Sequence, residues 1–145
     1  MTGATPGFRS AEEFVELMDR VFAIMSEHPE IGPRLRDADV RQRMEFPDLE
    51  LVLNVRAARV DEQGCLVWTW SDDIDWSPRV CFTMASPVAN RYFQGHENVP
   101  IAIARRRIRA SGDLHAALEL IPMTKPVHAR YRALLQAEFP HLLVL

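Results

Sequence analysis

The chain opens on a helical pattern. Phe14, Leu17, Met18, Val21, Phe22 and Met25 recur every three or four residues and form one apolar stripe. Ser10 and Glu13 place a Ser-x-x-Glu capping box ahead of that stripe. His28-Pro29 ends it, because a residue before proline avoids helical backbone. Residues 31–36 read as one further short helix.

The period then drops to two. Leu49, Leu51, Leu53, Val55 and Ala57 alternate with Glu50, Asn54 and Arg56, the pattern of a half-buried strand. The turn Pro47-Asp48 separates this run from a strand over residues 41–46. A second turn, residues 61–64, leads into a third strand over 65–70. Residues 71–78 form an acidic loop, and residues 80–85 read as a fourth strand. Four successive strands predict an antiparallel meander.

Helical signals return at Ser86, a cap, with Pro87 in the first position. Val88, Tyr92 and Phe93 lie on one side of this helix, and Gly95 stops it. Asn98 caps a second short helix holding Ile101 and Ile103. Residues 105–110 read as a fifth strand, which would point Arg105, Arg107 and Arg109 the same way. Asp113 caps a helix with Leu114, Ala117, Leu118 and Ile121 as its face and Pro122 as its end. Thr124 and Pro126 open the last helix, whose face is Val127, Tyr131, Leu134 and Leu135. The fold class is therefore α+β, one antiparallel sheet with helices gathered on one face. Residues 1–9 read as a disordered lead-in and 10–145 as a single domain.

Composition narrows the function classes. The chain has 145 residues and a net charge of −3, so no overall positive field favours nucleic acid. No run approaches the ~18 apolar residues of a membrane helix. The start lacks the basic and apolar regions of a secretory leader. Cys65 and Cys81 are too few for a disulfide framework and read as reduced, which places the chain in the cytoplasm.

Conventional catalytic signatures are absent. The five histidines share no metal-ligand spacing, so no metal is expected. Asp72, Asp73 and Asp75 could serve a small enzyme or accessory subunit acting on an acyl substrate, although aspartate is also a good turn former. The arginine run at 105–109 fits either an anionic head group or a solvated strand face. Short, proline-broken helices carrying Tyr92, Phe93, Ile101, Ile103, Leu118 and Ile121 cannot pack as a regular bundle. Laid over a sheet, they would enclose an apolar cavity or fill it as core.

The segment Tyr92-Phe93-Gln94-Gly95, then Asn98 to Ala104, Ile108, Gly112-Asp113 and Ala117-Leu118-Glu119-Leu120, resembles the sterol carrier protein 2 family of lipid-binding domains. Ala104 stands where that family often has glycine. The resemblance implies a five-stranded, mainly antiparallel sheet with about five helices around an apolar tunnel. It also implies non-covalent binding of a sterol, fatty acid or fatty acyl chain, with no catalysis and no cofactor. The expected cavity residues are Trp70, Phe82, Met84, Tyr92, Phe93, Ile101, Ile103, Ile108, Leu118, Ile121, Tyr131, Leu134 and Leu135. Arg105, Arg107 and Arg109 would meet an anionic head group or, transiently, a membrane surface. The final helix would be a lid. A homodimer with its cavity filled by side chains is the competing interaction reading.

Overall fold

The computed structural model describes residues 7–144. Residues 1–6 of the expected lead-in lie outside the described residues. Phe8, by contrast, is docked, its ring 4.8 Å from Phe14 and edge-on to it.

The first helix, α1 (Ala11–Glu27), buries the predicted stripe. Ser10 Oγ accepts from the Glu13 amide at 3.1 Å. Only that half of the capping box forms. The Glu13 carboxylate instead accepts from the Arg9 amide at 3.0 Å and contacts His141 Nε2 at 3.1 Å, tying α1 to the chain end. His28 ends α1 and starts the next helix, because its Nδ1 accepts from the Glu30 and Ile31 amides. That helix, α2 (Ile31–Ala38), runs two residues beyond the sequence expectation.

Five strands follow the predicted positions closely: β1 (Gln42–Phe46), β2 (Leu51–Ala57), β3 (Leu66–Thr69), β4 (Val80–Met84) and β5 (Ile108–Gly112). Their order is β3-β2-β1-β4-β5. The expected four-strand meander is corrected here. β1, β2 and β3 do form one, but β4 pairs with β1 in parallel. β3 also runs parallel to β1, so the chain must travel back along the sheet before β4 can begin. Residues 70–79 do this. They are too many for a hairpin of two to five residues and serve as a crossover.

The crossover runs over the polar face of the sheet. Register places Met44, Val55, Trp68, Phe82 and Ala110 on one face, and Arg43, Asn54, Thr69, Cys81 and Arg109 on the other. Asn54 Nδ2 donates to the Ser71 carbonyl at 2.6 Å, and Arg43 pairs with Asp72. The acidic loop is thus a strap across a face carrying arginines, and Asn54 is fully buried beneath it.

Six α-helices complete the fold: α3 (Ser86–Phe93), α4 (Val99–Ala104), α5 (Leu114–Thr124) and α6 (Val127–Glu138) follow the first two. Ser86 is the first residue of α3 rather than its cap. Asp48, from the β1–β2 turn, accepts from both its amide and its hydroxyl at 2.9 and 2.6 Å. Asn98 and Asp113 cap α4 and α5 as expected, accepting from Ile101 and Ala116. Pro122 lies inside α5 and does not end it.

The fifth strand begins later than predicted. Residues 105–107 form the reversal between α4 and β5, with Arg106 at φ 61°. That conformation usually goes to glycine or asparagine, so no turn signal marks it in the sequence. Arg105, Arg107 and Arg109 consequently do not share a strand face. At the far end of β5, Gly112 takes φ +90°, where a Cβ would stand 2.4 Å from the Arg79 carbonyl. The close approach lets the Asp113 amide donate to that carbonyl at 2.9 Å.

The core lies between the apolar sheet face and the helices. α1 is clamped to the sheet by two indoles, as Trp68 and Trp70 both donate to Asp19 Oδ1 at 3.0 and 2.7 Å. Ser26 Oγ accepts from the Cys65 and Leu66 amides and fixes the other end of α1.

Candidate functional site

The apolar sheet face does not pack solidly against the helices. A void of about 100 Å³ remains. Its floor includes Met44, Val55, Phe82, Met84 and Ile108 from the sheet, and its roof includes Met18, Phe22 and Met25 from α1. Four of the chain's six methionines stand in that wall, and their unbranched thioethers make it deformable. Leu118 lines the void while remaining 39% exposed, so the void approaches solvent beside α5.

The polar content of the wall is small. Gln42, Tyr92 and Thr124 supply it, and no charged side chain lines the void among the described residues. Thr124 Oγ1 donates to the Ile121 carbonyl at 3.0 Å, which leaves it to accept from the Tyr92 hydroxyl at 2.8 Å. The Tyr92 oxygen keeps its own lone pairs for a third partner. Burial raises the Tyr92 pKa, and the Thr124 contact opposes this only in part. The group is therefore a neutral hydroxyl at any ordinary pH. His128 sits behind it, ring centroids 6.0 Å apart, with its pKa lowered by burial and then by Arg132, Lys125 and His96.

Seven of the thirteen expected cavity residues line this void: Phe82, Met84, Tyr92, Phe93, Ile108, Leu118 and Ile121. The others lie elsewhere. Trp70 packs 6.0 Å from Phe14 and belongs to the α1 clamp. Ile103 joins a small cluster with Val99, Ala102 and Ile108, and Ile101 is 45% exposed. Tyr131 and Leu135 are fully buried in the main core, with Leu134 half-buried beside them. Sequence reasoning did not assign the α1 residues Met18, Phe22 and Met25 to the void. Their helical stripe was visible, but a stripe facing a void and a stripe facing core have the same period.

The expected lid is core. The Tyr131 hydroxyl donates to Asn90 Oδ1 at 2.7 Å, and Asn90 and Gln94 both donate to the Leu142 carbonyl. Gln94 Oε1 accepts from the Val144 amide at 2.9 Å. This buried network holds α6 and the chain end against α3. No sequence period announces it, because Asn90 and Gln94 read as the polar side of a short helix.

The arginine run is also divided. Arg107 donates to Glu97 Oε1 at 2.6 Å, and Arg91 stands 3.2 Å from the other oxygen of the same, almost fully buried, carboxylate. Arg105 and Arg109 are exposed. Asp72, Asp73 and Asp75 are exposed on the strap, and no three potential metal ligands converge among the described residues.

No family model and no curated protein matches the sequence. Solved structures do match the fold. The ubiquinone synthesis protein UbiJ-SCP2 superposes with a TM-score of 0.59 at 7% identity, over 85% of this chain and 97% of that one. The sterol carrier protein domain 2 of Helicoverpa armigera gives 0.54 at 14% identity, over 88% and 96%. The Pseudomonas sec-alkylsulfatase Pisa1 gives 0.54 at 15% identity over 63% of this chain, which spans only 14% of that enzyme. The fold is that of the sterol carrier protein 2 domains, and the expected α+β architecture stands, with one parallel strand pair in its sheet.

Proposed function

We propose that the chain binds a hydrophobic ligand, such as a sterol, fatty acid or fatty acyl chain, in the void between sheet and helices, and carries it without catalysis. The observation that carries this reading is an uncharged, methionine-rich wall around unfilled space in a fold shared with sterol carrier domains. Burying each methylene contributes ~0.8 kcal/mol, so an acyl chain of ordinary length offers enough for binding without any specific polar contact.

Two physical consequences follow from the wall. A void of about 100 Å³ is smaller than the ~300–1,000 Å³ of typical small-molecule pockets. The ligand must therefore displace wall residues, and the methionines are the side chains best able to yield. Because no cation lines the void, an ionised carboxylate inside it would be uncompensated and costly. A fatty acid enters tail first and keeps its carboxylate at the Leu118 mouth. A neutral alcohol can enter head first and donate to the Tyr92 oxygen. Exposed Arg105 and Arg109 suit transient contact with an anionic membrane during loading. An accessory or enzymatic role for the acidic strap is the second reading, and it draws less support because Asp72 is paired with Arg43 and no three potential metal ligands converge among the described residues.

Organic extracts of natively purified protein, examined by mass spectrometry, test the reading together with titration by fluorescent sterol and fatty acid probes. We expect co-purified neutral or acyl lipid and saturable probe binding. Clean extracts with no saturable binding of either probe would refute it.

A further inference from the structure

The crossover that makes β4 parallel to β1 has a second effect. It brings the start of β1, the start of β4 and the end of β2 to one end of the sheet. Arginine occupies each place. Arg41 precedes β1, Arg79 precedes β4, and Arg56 and Arg59 flank the end of β2. The Arg79 amide donates to the Arg41 carbonyl at 2.9 Å, so these two are fixed side by side. Arg36 of α2 joins them, and Trp76 arrives from the descending strap. Together they line a groove of about 590 Å³ whose one acidic lining residue is Asp39.

Three of these arginines already have partners. Arg56 makes a bidentate pair with Glu62 at 2.7 Å for each bond. Arg79 pairs with Asp113 at 2.8 Å, and Arg36 lies 3.7 Å from Asp37. Arg41 and Arg59 have no carboxylate within ion-pair distance among the described residues, although the Arg59 amide donates to Glu62 at 2.8 Å. Two exposed guanidiniums thus face a groove whose remaining cations are held in place by their own salt bridges.

We propose that this groove binds a soluble organic phosphate that carries at least two phosphoryl groups and a planar ring. Guanidinium forks match phosphate oxygens in pairs, and two unpaired forks call for more than one phosphoryl group. Trp76, half-buried in the lining, offers an indole on which a planar ring can stack. The volume lies within the range of small-ligand sites. The net charge of −3 and the small extent of the groove set a small ligand above a nucleic acid. This site is chemically separate from the apolar void and does not depend on it.

Isothermal titration of the intact chain with ADP, AMP, adenosine, tripolyphosphate and citrate, at about 50 mM salt, tests the site. ADP and tripolyphosphate should bind saturably. AMP should bind about tenfold more weakly than ADP, and adenosine and citrate weaker still. R41Q/R59Q should weaken ADP binding by at least about tenfold, while its melting temperature stays unchanged because neither side chain makes an ion pair. W76F should weaken ADP but leave tripolyphosphate unaltered. Undiminished ADP binding in R41Q/R59Q would overturn the assignment, as would citrate binding equal to that of tripolyphosphate. Binding to vesicles bearing phosphorylated head groups, without binding of the soluble phosphates, would overturn it too.

Discussion

The two faces of the sheet use the same alternating strands for opposite ends. On one face Met44, Val55, Phe82 and Ile108 meet helices and leave a small void without charge. On the other, Arg43 and Asn54 meet a strap, and the groove at its end is about six times larger and lined chiefly by arginine. Size therefore does not rank the two as binding sites. The apolar void is bounded by flexible side chains, which a ligand would have to displace under the proposed reading. The groove is open, and three of its five arginines are already paired with carboxylates.

The largest effect expected on either side comes from the packing behind the void. Leu135 is fully buried on α6, away from the void lining. Leu135→Ala should cost about 2–5 kcal/mol, read by chemical denaturation. A still-stable variant that releases lipid probe faster would restore the lid role to α6 and blur the distinction between core and void.

On the groove side the change is smaller and depends on pH. The Arg56 guanidinium holds the Glu62 carboxyl at a pKa of about 2, aided by the Arg59 amide and only slightly opposed by burial. A carboxyl depressed by folding stabilises the native state above its unfolded value near 4.5. That contribution is lost as pH falls from there toward about 2. Wild type should therefore lose stability over this interval more steeply than Glu62→Gln, followed by thermal melts. Parallel curves would mean that the Arg56 clamp does not form in solution.

The contrast between faces also shows which features a sequence carries. Local chemistry was legible: the α1 stripe, the Asn98 and Asp113 caps and the places of the first four strands follow from spacing and capping alone. Strand order was not, because strand neighbours depend on where a connection travels. The length of residues 70–79 was the available signal, too long for a hairpin, and it was overshadowed by the turn-forming aspartates. The start of β5 was hidden because Arg106 adopts a left-handed conformation without a glycine. For the cations, adjacency in sequence misled. The dense run at 105–109 is divided between a turn, a pair with the buried Glu97 carboxylate and a strand. The arginines that do converge are scattered from 36 to 79 and meet where β1 pairs with β2 on one side and, in parallel, with β4 on the other. Half of the expected void residues were likewise separable from core only once the helices had angles.

The void on the apolar face is the proposed ligand site. Ala117 lines that void and is 5% exposed, so Ala117→Leu adds side-chain volume there while leaving the surface, the strap and the arginine groove alone. Titration of wild type and this variant with the same fluorescent fatty acid and sterol probes measures the claim directly. Wild type should bind saturably, and the variant should remain folded and lose at least about tenfold in affinity, since the displaced methylenes are each worth ~0.8 kcal/mol. Equal affinity for both proteins would contradict it.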